Sequence, residues 1–379
     1  MRVEPFSHSR VPALRAFNQR LAAARAGWRF PEDPNPDWLP RLPRSEVYQE
    51  LFLLVEDDDV RGAYVLKHQP VSFRGQVVRV GNLYMPLSEG IINRTYSLVG
   101  ARLFSDALRR ESLLFALGLG GAAAQVTGLV RALGWELHTV PFFFKVLHGP
   151  EFLKHIRYLR TNRIRKLLLD LAAASGMGWL AVSAARRLLT RRPRASEPLS
   201  AEVVERFEEW ADELWHTCAT GYSFVAVRTS EILNRLYPPG RPGLIRLCIR
   251  SGDQVIGYVV LQDEQSSLHA EFLGRMRVGT IVDNLSLPEH AEAVMWLAAQ
   301  HLEQRGVDVI ISNQSHPAWR SALHRAGFLE GPSRCVFAAA KLLAQEIRRE
   351  DPYVREVHLT RGDGDWPWGV NLRVEEEMT

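Results

Sequence analysis

Residues 307–328 read VDVIISNQSHPAWRSALHRAGF, and the order of elements in this stretch is the most informative feature of the sequence. The apolar run at 307–313 predicts a strand, and residues 317–325 predict a helix that ends just before the pair Gly327-Phe328. A second stretch, LLFALGLGGAAAQVTGLVRALGW at 113–135, has the same order and ends at Gly134-Trp135. Two copies of one strand–helix unit predict an internal duplication.

Hydrophobic patterning extends each copy outward into a block with a similar order of elements. In residues 1–148 it predicts helices at 11–24, 98–110 and 125–133, and strands at 51–56, 62–68, 77–85, 113–119 and 140–147. In residues 199–345 it predicts helices at 200–215, 289–304 and 317–325, and strands at 244–250, 255–263, 280–287, 307–313 and 335–342. We therefore expect an α/β protein with domains at 1–148 and 199–345, a helical connector at 149–198, and a tail at 346–379 packed over a cleft.

Composition excludes several classes of protein. The chain has 379 residues, of which 46% are hydrophobic and 24% charged, which is typical of globular domains and not of disordered or fibrous chains. Cys218, Cys248 and Cys335 form no CxxC pair, so a disulfide framework and a structural zinc site are not expected, and the twelve histidines show no metal-ligand spacing. Residues 1–20 are polar and have no apolar core of a signal peptide, so we expect a cytoplasmic protein.

The connector carries an uneven share of the charge. Residues 151–195 contain eleven Lys or Arg against Glu151 and Asp170, and they enclose the apolar run LLLDLAAASGMGWLAVSAA at 167–185. A basic-flanked helix lying on an anionic membrane surface fits this pattern, and so does an interdomain helical pair with solvated arginines. Nucleic acid is the weaker alternative, because no aromatic stacking platform accompanies the arginines.

The strand–helix–Gly-aromatic order of 113–135 and 307–328, with Gly62 and Gly257 near the starts of two strands, resembles the Gcn5-related N-acetyltransferase (GNAT) superfamily. The stretch RTSEILNRLY at 228–237 is similar to a segment of tandem-domain GNAT proteins, including the FemABX peptidoglycan aminoacyl transferases. Two-domain bacterial relatives associated with surface polysaccharide synthesis are the neighbours that this resemblance indicates. It implies two GNAT-like domains, each a mixed, mostly antiparallel sheet flanked by helices, and acyl transfer from a thioester.

The resemblance also implies where acetyl-CoA would bind. Backbone groups of the third strand, at Leu83, Tyr84 and Met85, would hold the pantetheine arm. The pyrophosphate would lie on the turn formed by Ser97, Leu98, Val99, Gly100 and Ala101. The family motif [Arg/Gln]-x-x-Gly-x-[Gly/Ala] maps onto TYSLVG at 95–100, in which Gly100 alone matches, and LSLPEHAEAVMW in the second block contains no glycine. The tyrosine that the family uses as general acid is replaced by Val130 and Leu323.

Two carboxylates near the third strands are candidates for the general base. Glu89, in the loop PLSEG, would serve as the base, with a solvated loop residue as the alternative. Asp283 lies in the apolar strand TIVDN, where a carboxylate is costly unless paired, so a structural hydrogen-bonding role stands ahead of catalysis.

For two further features the structural interpretation is favoured. The Gly-rich sequence GLGG at 118–121 predicts a tight turn, and His316 is expected to cap the helix that follows it. Asp363 and Asp365, in the tail, merit testing.

The function that this pattern favours is acyl transfer, with acetyl-CoA as co-substrate, to an amine or hydroxyl of a surface-polysaccharide or cell-envelope precursor. A lipid-linked acceptor would follow if the connector meets the inner face of the membrane. Two alternatives stay open: a FemABX-type aminoacyl transferase that uses aminoacyl-tRNA, and a GNAT fold that has lost catalysis and acts as a binding subunit.

Overall fold

A computed structural model of the chain describes residues 1–32, 39–119, 125–148, 192–265 and 276–364. The backbone forms two compact units: unit 1 comprises Met1–Thr139, Arg334–Tyr353 and Gly364–Thr379, and unit 2 comprises Val140–Ser333 and Val354–Asp363. The basic segment 151–191 with its apolar run, Asp365, and Gly120-Gly121 of the Gly-rich turn lie outside the described residues. None of the helices in the described ranges is long and apolar enough to cross a membrane.

Unit 1 is built on a mixed sheet, sheet 1, with strands in the order β1-β2-β3-β4-β5-β15-β6. Only the β4–β5 pair of this order is parallel. The strands are β1 (Arg2–Pro5), β2 (Tyr48–Glu56), β3 (Asp59–Phe73), β4 (Gln76–Ser88), β5 (Leu114–Gly118), β6 (Glu136–Thr139) and β15 (Val336–Ala339). The helices are α1 (Val11–Ala23), α2 (Val99–Arg110), α3 (Gln125–Ala132) and α8 (Lys341–Glu350).

The two faces of sheet 1 are covered by different helices because β2 alternates with period two. Leu51 and Leu53 belong to the apolar cluster that contains α1, whereas Phe52 and Leu54 belong to the cluster that contains α2 and α3. Residues 51–55 are apolar at every position because both faces of the strand are buried there, and the run ends at the partly exposed Glu56.

Unit 2 is built on sheet 2, with strands in the order β14-β7-β13-β12-β11-β10-β8, in which only β12–β13 is parallel. β9 and β16 pair in parallel with each other. The strands are β7 (Phe142–Val146), β8 (Leu199–Val203), β9 (Phe224–Ala226), β10 (Leu244–Ser251), β11 (Gln254–Gln265), β12 (Arg277–Ser286), β13 (Val309–Asn313), β14 (Leu329–Gly331) and β16 (Val357–His358). The helices are α4 (Glu209–Cys218), α5 (Ser230–Leu236), α6 (Ala291–Gln304) and α7 (Pro317–Arg325).

The last strand of each expected block belongs to the other unit. Residues 140–147, expected in the first block, contain β7, which pairs with β13 and β14 in sheet 2. Residues 335–342, expected in the second block, contain β15, which pairs with β5 and β6 in sheet 1, and α8 starts directly after it. Short apolar strands carry no signal of which sheet they join, so contiguous blocks could not anticipate this exchange.

The prediction of a helix at 200–215 is wrong for the first half of this segment. Leu199–Val203 forms β8, which pairs antiparallel with β10, and α4 begins only at Glu209. Ladder hydrogen bonds to β10 therefore outweigh the helical spacing of the apolar residues.

The structure brings out an internal repeat in the third strands. Residues 80–88 read VGNLYMPLS and residues 278–286 read VGTIVDNLS. Gly62 opposes Ser88 and Gly257 opposes Ser286 in the two ladders. A Cβ on Gly62 would lie 2.8 Å from Val99 Cγ1 of α2, and a Cβ on Gly257 would lie 2.7 Å from Val294 Cγ2 of α6. Both glycines thus allow a helix to pack closely on the sheet, at matching places in the two units.

Candidate functional site

Sheet 1 opens between its two parallel strands. β4 and β5 pair at Gly81 with Leu114 and at Asn82 with Phe115, and their pairing ends there although both strands continue. β5 continues against β15, and β4 continues against β3. The register between β3 and β4 shifts between Ala63 and Val65, which leaves Met85 and Pro86 as a β-bulge. Bulges expose backbone groups and are frequent beside active sites.

The strand residues expected to hold pantetheine lie on β4 beyond this point. Leu83 is buried in the cluster with α2, and Tyr84 is buried in the cluster with α1, where its hydroxyl donates to Gln49 Oε1. Met85 has a φ of 54° and packs against the α1 cluster. Since the side chains of Leu83 and Tyr84 belong to the core, these two residues can offer only backbone groups to a ligand, whereas Met85 is partly exposed.

The loop from β4 to α2 is ordered by local capping. The Ser88 hydroxyl accepts a hydrogen bond from Gly90 N, and Asn93 Oδ1 accepts one from Thr95 N at 3.0 Å. α2 then starts at Val99 with Leu98 as its N-cap, and no side chain caps it. The first amides of a helix have no intrahelical acceptor, and the helix dipole favours anions there.

Gly100 has a packing role in this turn. A Cβ added to it would lie 3.2 Å from Leu129 Cδ2 of α3. By contrast, the side chain of Leu98 is 68% exposed, so it marks the accessible side of the α2 N-terminus.

Glu89 is buried and paired with two arginines. Its Oε1 accepts from Arg20 Nε at 2.9 Å and its Oε2 accepts from Arg61 Nη1 at 3.1 Å. The Arg61 guanidinium also lies over the ring of Tyr96, at 4.6 Å from the centroid. These contacts tie α1 and β3 to the loop before α2, and Glu89 as general base stays a prediction.

Sheet 2 has the same opening, and the chain itself fills it. β12 and β13 pair from Val278 with Val309 to Ile281 with Ser312, and the register between β11 and β12 then shifts at Val282 of β12. Beyond this point, Gln314 forms a bridge with Thr360, and the backbone carbonyl of Asn284 accepts a hydrogen bond from His358 Nε2 at 2.9 Å. Ser315 N donates to Leu359 O at 3.2 Å. Residues 357–363 thus lie between the diverging strands of unit 2.

Asp283 is completely buried at the bulge of β12, in a polar network. Its carboxylate accepts from Arg228 Nε at 2.8 Å, from Tyr237 Oη at 2.8 Å and from Asn284 N at 2.9 Å. Arg228 also donates to Oδ1 of Asp363, and Oδ2 of the same carboxylate accepts from Thr360 N at 2.7 Å. These contacts agree with the structural role expected for Asp283, and they place Asp363 in the same network.

The charges of this network are coupled. Burial by itself lowers the pKa of Arg228, but the charges of Asp283 and Asp363 outweigh it and hold that pKa well above its usual value. Burial raises the pKa of Asp283 by more than the Arg228 charge lowers it. Burial also acts to raise the pKa of Asp363, but the Arg228 charge and the hydrogen bonds to this carboxylate lower it overall. Both carboxylates pair with Arg228, which is the cation of this network.

The remaining positions singled out in the sequence have packing, capping or turn roles. Val130 and Leu323, where the resemblance would place a tyrosine, are fully buried in the core. His316 Nδ1 accepts from Ala318 N at 3.2 Å and so caps α7. Gly118 has a φ of 113°, which supports the tight-turn reading for the part of the Gly-rich turn that the structure describes.

Sequence reasoning missed Arg228, His358 and the aromatic residues Tyr222 and Trp319 beside His358. The tripeptide Arg361-Gly362-Asp363 was the available signal. Each of its residues has a packing role: Arg361 Nη1 donates to Asn313 Oδ1 at 2.8 Å, Gly362 leaves room for Tyr237, and Asp363 pairs with Arg228.

Comparison with known proteins places the fold. No protein-family model matches the sequence, and no curated protein matches it. The structure is similar to a GCN5-related N-acetyltransferase from Anabaena variabilis, with 13% identity, a TM-score of 0.51, and coverage of 89% of this chain and 73% of that one. It is also similar to Saccharomyces cerevisiae N-myristoyltransferase with bound myristoyl-CoA, with 10% identity, a TM-score of 0.50, and coverage of 89% and 77%.

These similarities, together with the two mixed sheets flanked by helices, confirm the expected α/β fold of the GNAT type. At such low identity the similarity defines the fold alone, since one fold supports many activities.

Proposed function

We propose that the protein is an acyltransferase that uses an acyl-CoA, and that unit 1 binds the donor. The observation that carries this proposal is the difference between the two sheet openings. Residues 357–363 occupy the opening of sheet 2, whereas β4 beyond Asn82 offers a bulge and leads to an uncapped α2 N-terminus. Pantetheine amides can pair with strand backbone, and a pyrophosphate suits helix amides.

The chemistry follows from this placement. An amine or hydroxyl of the acceptor attacks the thioester carbonyl carbon, the tetrahedral oxyanion collapses, the C–S bond breaks, and CoA leaves as the thiolate. A backbone amide aimed at the oxyanion would stabilise it. In the bulge only Met85 can supply one, because Pro86 has no N–H. Glu89 is the proposed acceptor of the nucleophile's proton.

The donor and acceptor that we propose are acetyl-CoA and an amine or hydroxyl of a surface-polysaccharide or cell-envelope precursor. Both follow from the resemblance to two-domain GNAT proteins. We also propose that the basic segment 151–195 brings the protein to the cytoplasmic face of an anionic membrane, where a lipid-linked acceptor would lie. The yeast enzyme was solved with myristoyl-CoA, so a screen of donors should extend from acetyl to long-chain acyl-CoA.

Calorimetric titration with this acyl-CoA series tests the proposal, using Leu98→Glu and its matched control Leu98→Gln. The two variants differ only by a negative charge at the α2 N-terminus. That charge stabilises the helix, so lost binding would not reflect unfolding. We expect Leu98→Glu to weaken binding at least about tenfold, through repulsion of the pyrophosphate, and Leu98→Gln to bind like the wild type.

Equal binding by both variants would remove the donor site from unit 1. No binding of any acyl-CoA to the wild type would overturn the acyltransferase proposal. Salt-sensitive binding of aminoacyl-tRNA would then support the FemABX-type alternative.

A further inference from the structure

Residues 357–363, here named the strap, bind unit 2 as a ligand would. The strap begins as β16 beside β9 and continues to the opening between β12 and β13. Leu359 of the strap and Ser315, which follows β13, form two hydrogen bonds with each other. Leu359 N donates to Ser315 Oγ at 2.8 Å, and Ser315 N donates to Leu359 O.

His358 is the central contact of the strap. Its ring stacks on Tyr222 at 4.8 Å and on Trp319 at 5.5 Å between centroids. Its Nε2 donates to the backbone carbonyl of Asn284, which directly follows Asp283. In the aligned repeat, Asn284 corresponds to Pro86 of β4. The strap thus satisfies the strand carbonyl whose counterpart in unit 1 borders the proposed donor site.

The far end of the strap is held by charge and by close packing. Asp363 pairs with Arg228, which is buried and also contacts Asp283. Thr360 Oγ1 lies 3.2 Å from Asp283 Oδ1. A Cβ on Gly362 would collide with the Tyr237 hydroxyl and approach Asp283 Cβ to 3.1 Å, so no larger residue fits there. Contacts with the rest of unit 2 thus extend from one end of the strap to the other.

We propose that the strap is an intramolecular ligand of unit 2, which fills the sheet opening and prevents unit 2 from binding an acyl-CoA. The inference also gives the number of acyl-CoA molecules bound per chain, which is one, in unit 1. This number rests on the proposed function. The occupancy of the opening by the strap does not depend on it.

Hydrogen exchange of the full chain, read by mass spectrometry at neutral pH, tests the occupancy directly. In the wild type we expect the amides of Leu359 and Thr360 to exchange as slowly as those of β12. In His358→Ala we expect strap exchange to accelerate at least about tenfold, with unit 1 peptides unchanged. The matched control is His216→Ala, an exposed histidine on α4, which should leave the strap protected. Thr360→Val provides a second strap variant if His358→Ala does not fold.

Calorimetry with acyl-CoA completes the test. One acyl-CoA per wild-type chain, together with a protected strap, supports the inference. Fast exchange of the wild-type strap, or two acyl-CoA per wild-type chain, overturns it. A protected strap without any acyl-CoA binding supports the occupancy and contradicts the proposed function, so the two failures are distinguishable.

Discussion

Glu89 connects separate elements of unit 1 through its carboxylate. It joins Arg20 of α1 and Arg61 of β3 to the loop before α2, and the loop leads to the proposed pyrophosphate turn. Removing a buried carboxylate from between two guanidinium groups is costly, because their charges then lose a buried partner. We therefore expect Glu89 to position the turn in addition to its proposed role as general base.

We expect Glu89→Gln to lower the free energy of unfolding by about 1–3 kcal/mol, because the neutral amide removes the buried carboxylate that Arg20 and Arg61 share, and Arg61 keeps only its more exposed partners Glu56 and Asp59. Urea denaturation measures this change. Asp59→Asn is the matched control, since Asp59 pairs with the same Arg61 from an exposed position and should change stability by less than about 1 kcal/mol. Unchanged stability with turnover reduced by about 100-fold or more would instead assign Glu89 as the general base.

The glycines of β3 and β11 have a steric role. A Cβ added to Gly257 would lie 2.7 Å from Val294 Cγ2 and 2.9 Å from Leu285 O, and Gly62 is in the matching environment. Helix α6 could not lie where it does over a side chain at this position.

We expect Gly257→Ala to destabilise the protein by about 1–3 kcal/mol through overpacking. Gly128→Ala, on the exposed face of α3 where no described residue outside the helix lies within 4 Å of the new Cβ, should instead stabilise by about 0.5–1 kcal/mol through helix propensity. Chemical denaturation of both variants gives the comparison. A Gly257→Ala protein as stable as the wild type would show that α6 can shift without cost.

At the scale of elements, the strap depends on an uncharged histidine. Burial lowers the pKa of His358 to about 4, and the charge of Arg228 acts in the same direction, against the Asn284 hydrogen bond and the charge of Asp363. The ring also stacks on Tyr222 and Trp319, and His316 lies edge-on to Tyr222. His358 Nδ1 is buried and has no hydrogen-bond partner among the described residues, so protonation would bury a second N–H without an acceptor.

Because the folded pKa of His358 is below its unfolded value of 6.5, the unfolded state binds more protons between pH 6.5 and 4. Stability should therefore fall as pH falls through that window, by about 2 kcal/mol from pH 7 to pH 5 on account of this residue. Urea denaturation at both pH values, with the non-titrating His358→Gln as reference, measures the difference. Equal pH dependence in the two proteins would contradict a neutral, buried His358.

At the scale of the molecule, neither unit is a contiguous piece of chain. β15 lies between β5 and β6 in sheet 1, so residues 1–139 by themselves would leave two strand edges without a partner. Phe337 and Ala338 of β15 are also buried, and their removal would expose part of the core.

We expect residues 1–139 expressed alone to show no cooperative urea transition by near-ultraviolet circular dichroism. Fusing residues 334–353 to this fragment through a flexible linker should restore the transition, because it returns β15 and α8. The same fusion with Ala338→Asp should fail, since the charge would enter a fully buried position. A cooperative transition in residues 1–139 alone would show that β15 is dispensable for unit 1.

Several helices and hairpins could be predicted from local features of the sequence. The helices at Val11–Ala23, Val99–Arg110 and Pro317–Arg325 follow from periodicity and from Pro317, and the hairpins follow from acidic and glycine turns. The repeat VGNLYMPLS and VGTIVDNLS was also readable, although nine residues with a four-position match are a weak signal without the ladders that align them. The site was harder, because Arg228, Asp283 and Asp363 are far apart in the chain.

Local periodicity and turn residues were sufficient to predict the α/β class and most of the longer helices and strands, although they predicted a helix where β8 forms. The assignment of β7 and β15 to their sheets required tertiary contacts, because a short apolar strand pairs equally well with any edge of suitable register. The placement of residues 357–363 in the opening of unit 2 required them too. That placement depends on a buried arginine between two aspartates and on a histidine stacked on two aromatic rings, contacts between residues distant in sequence that no local pattern encodes.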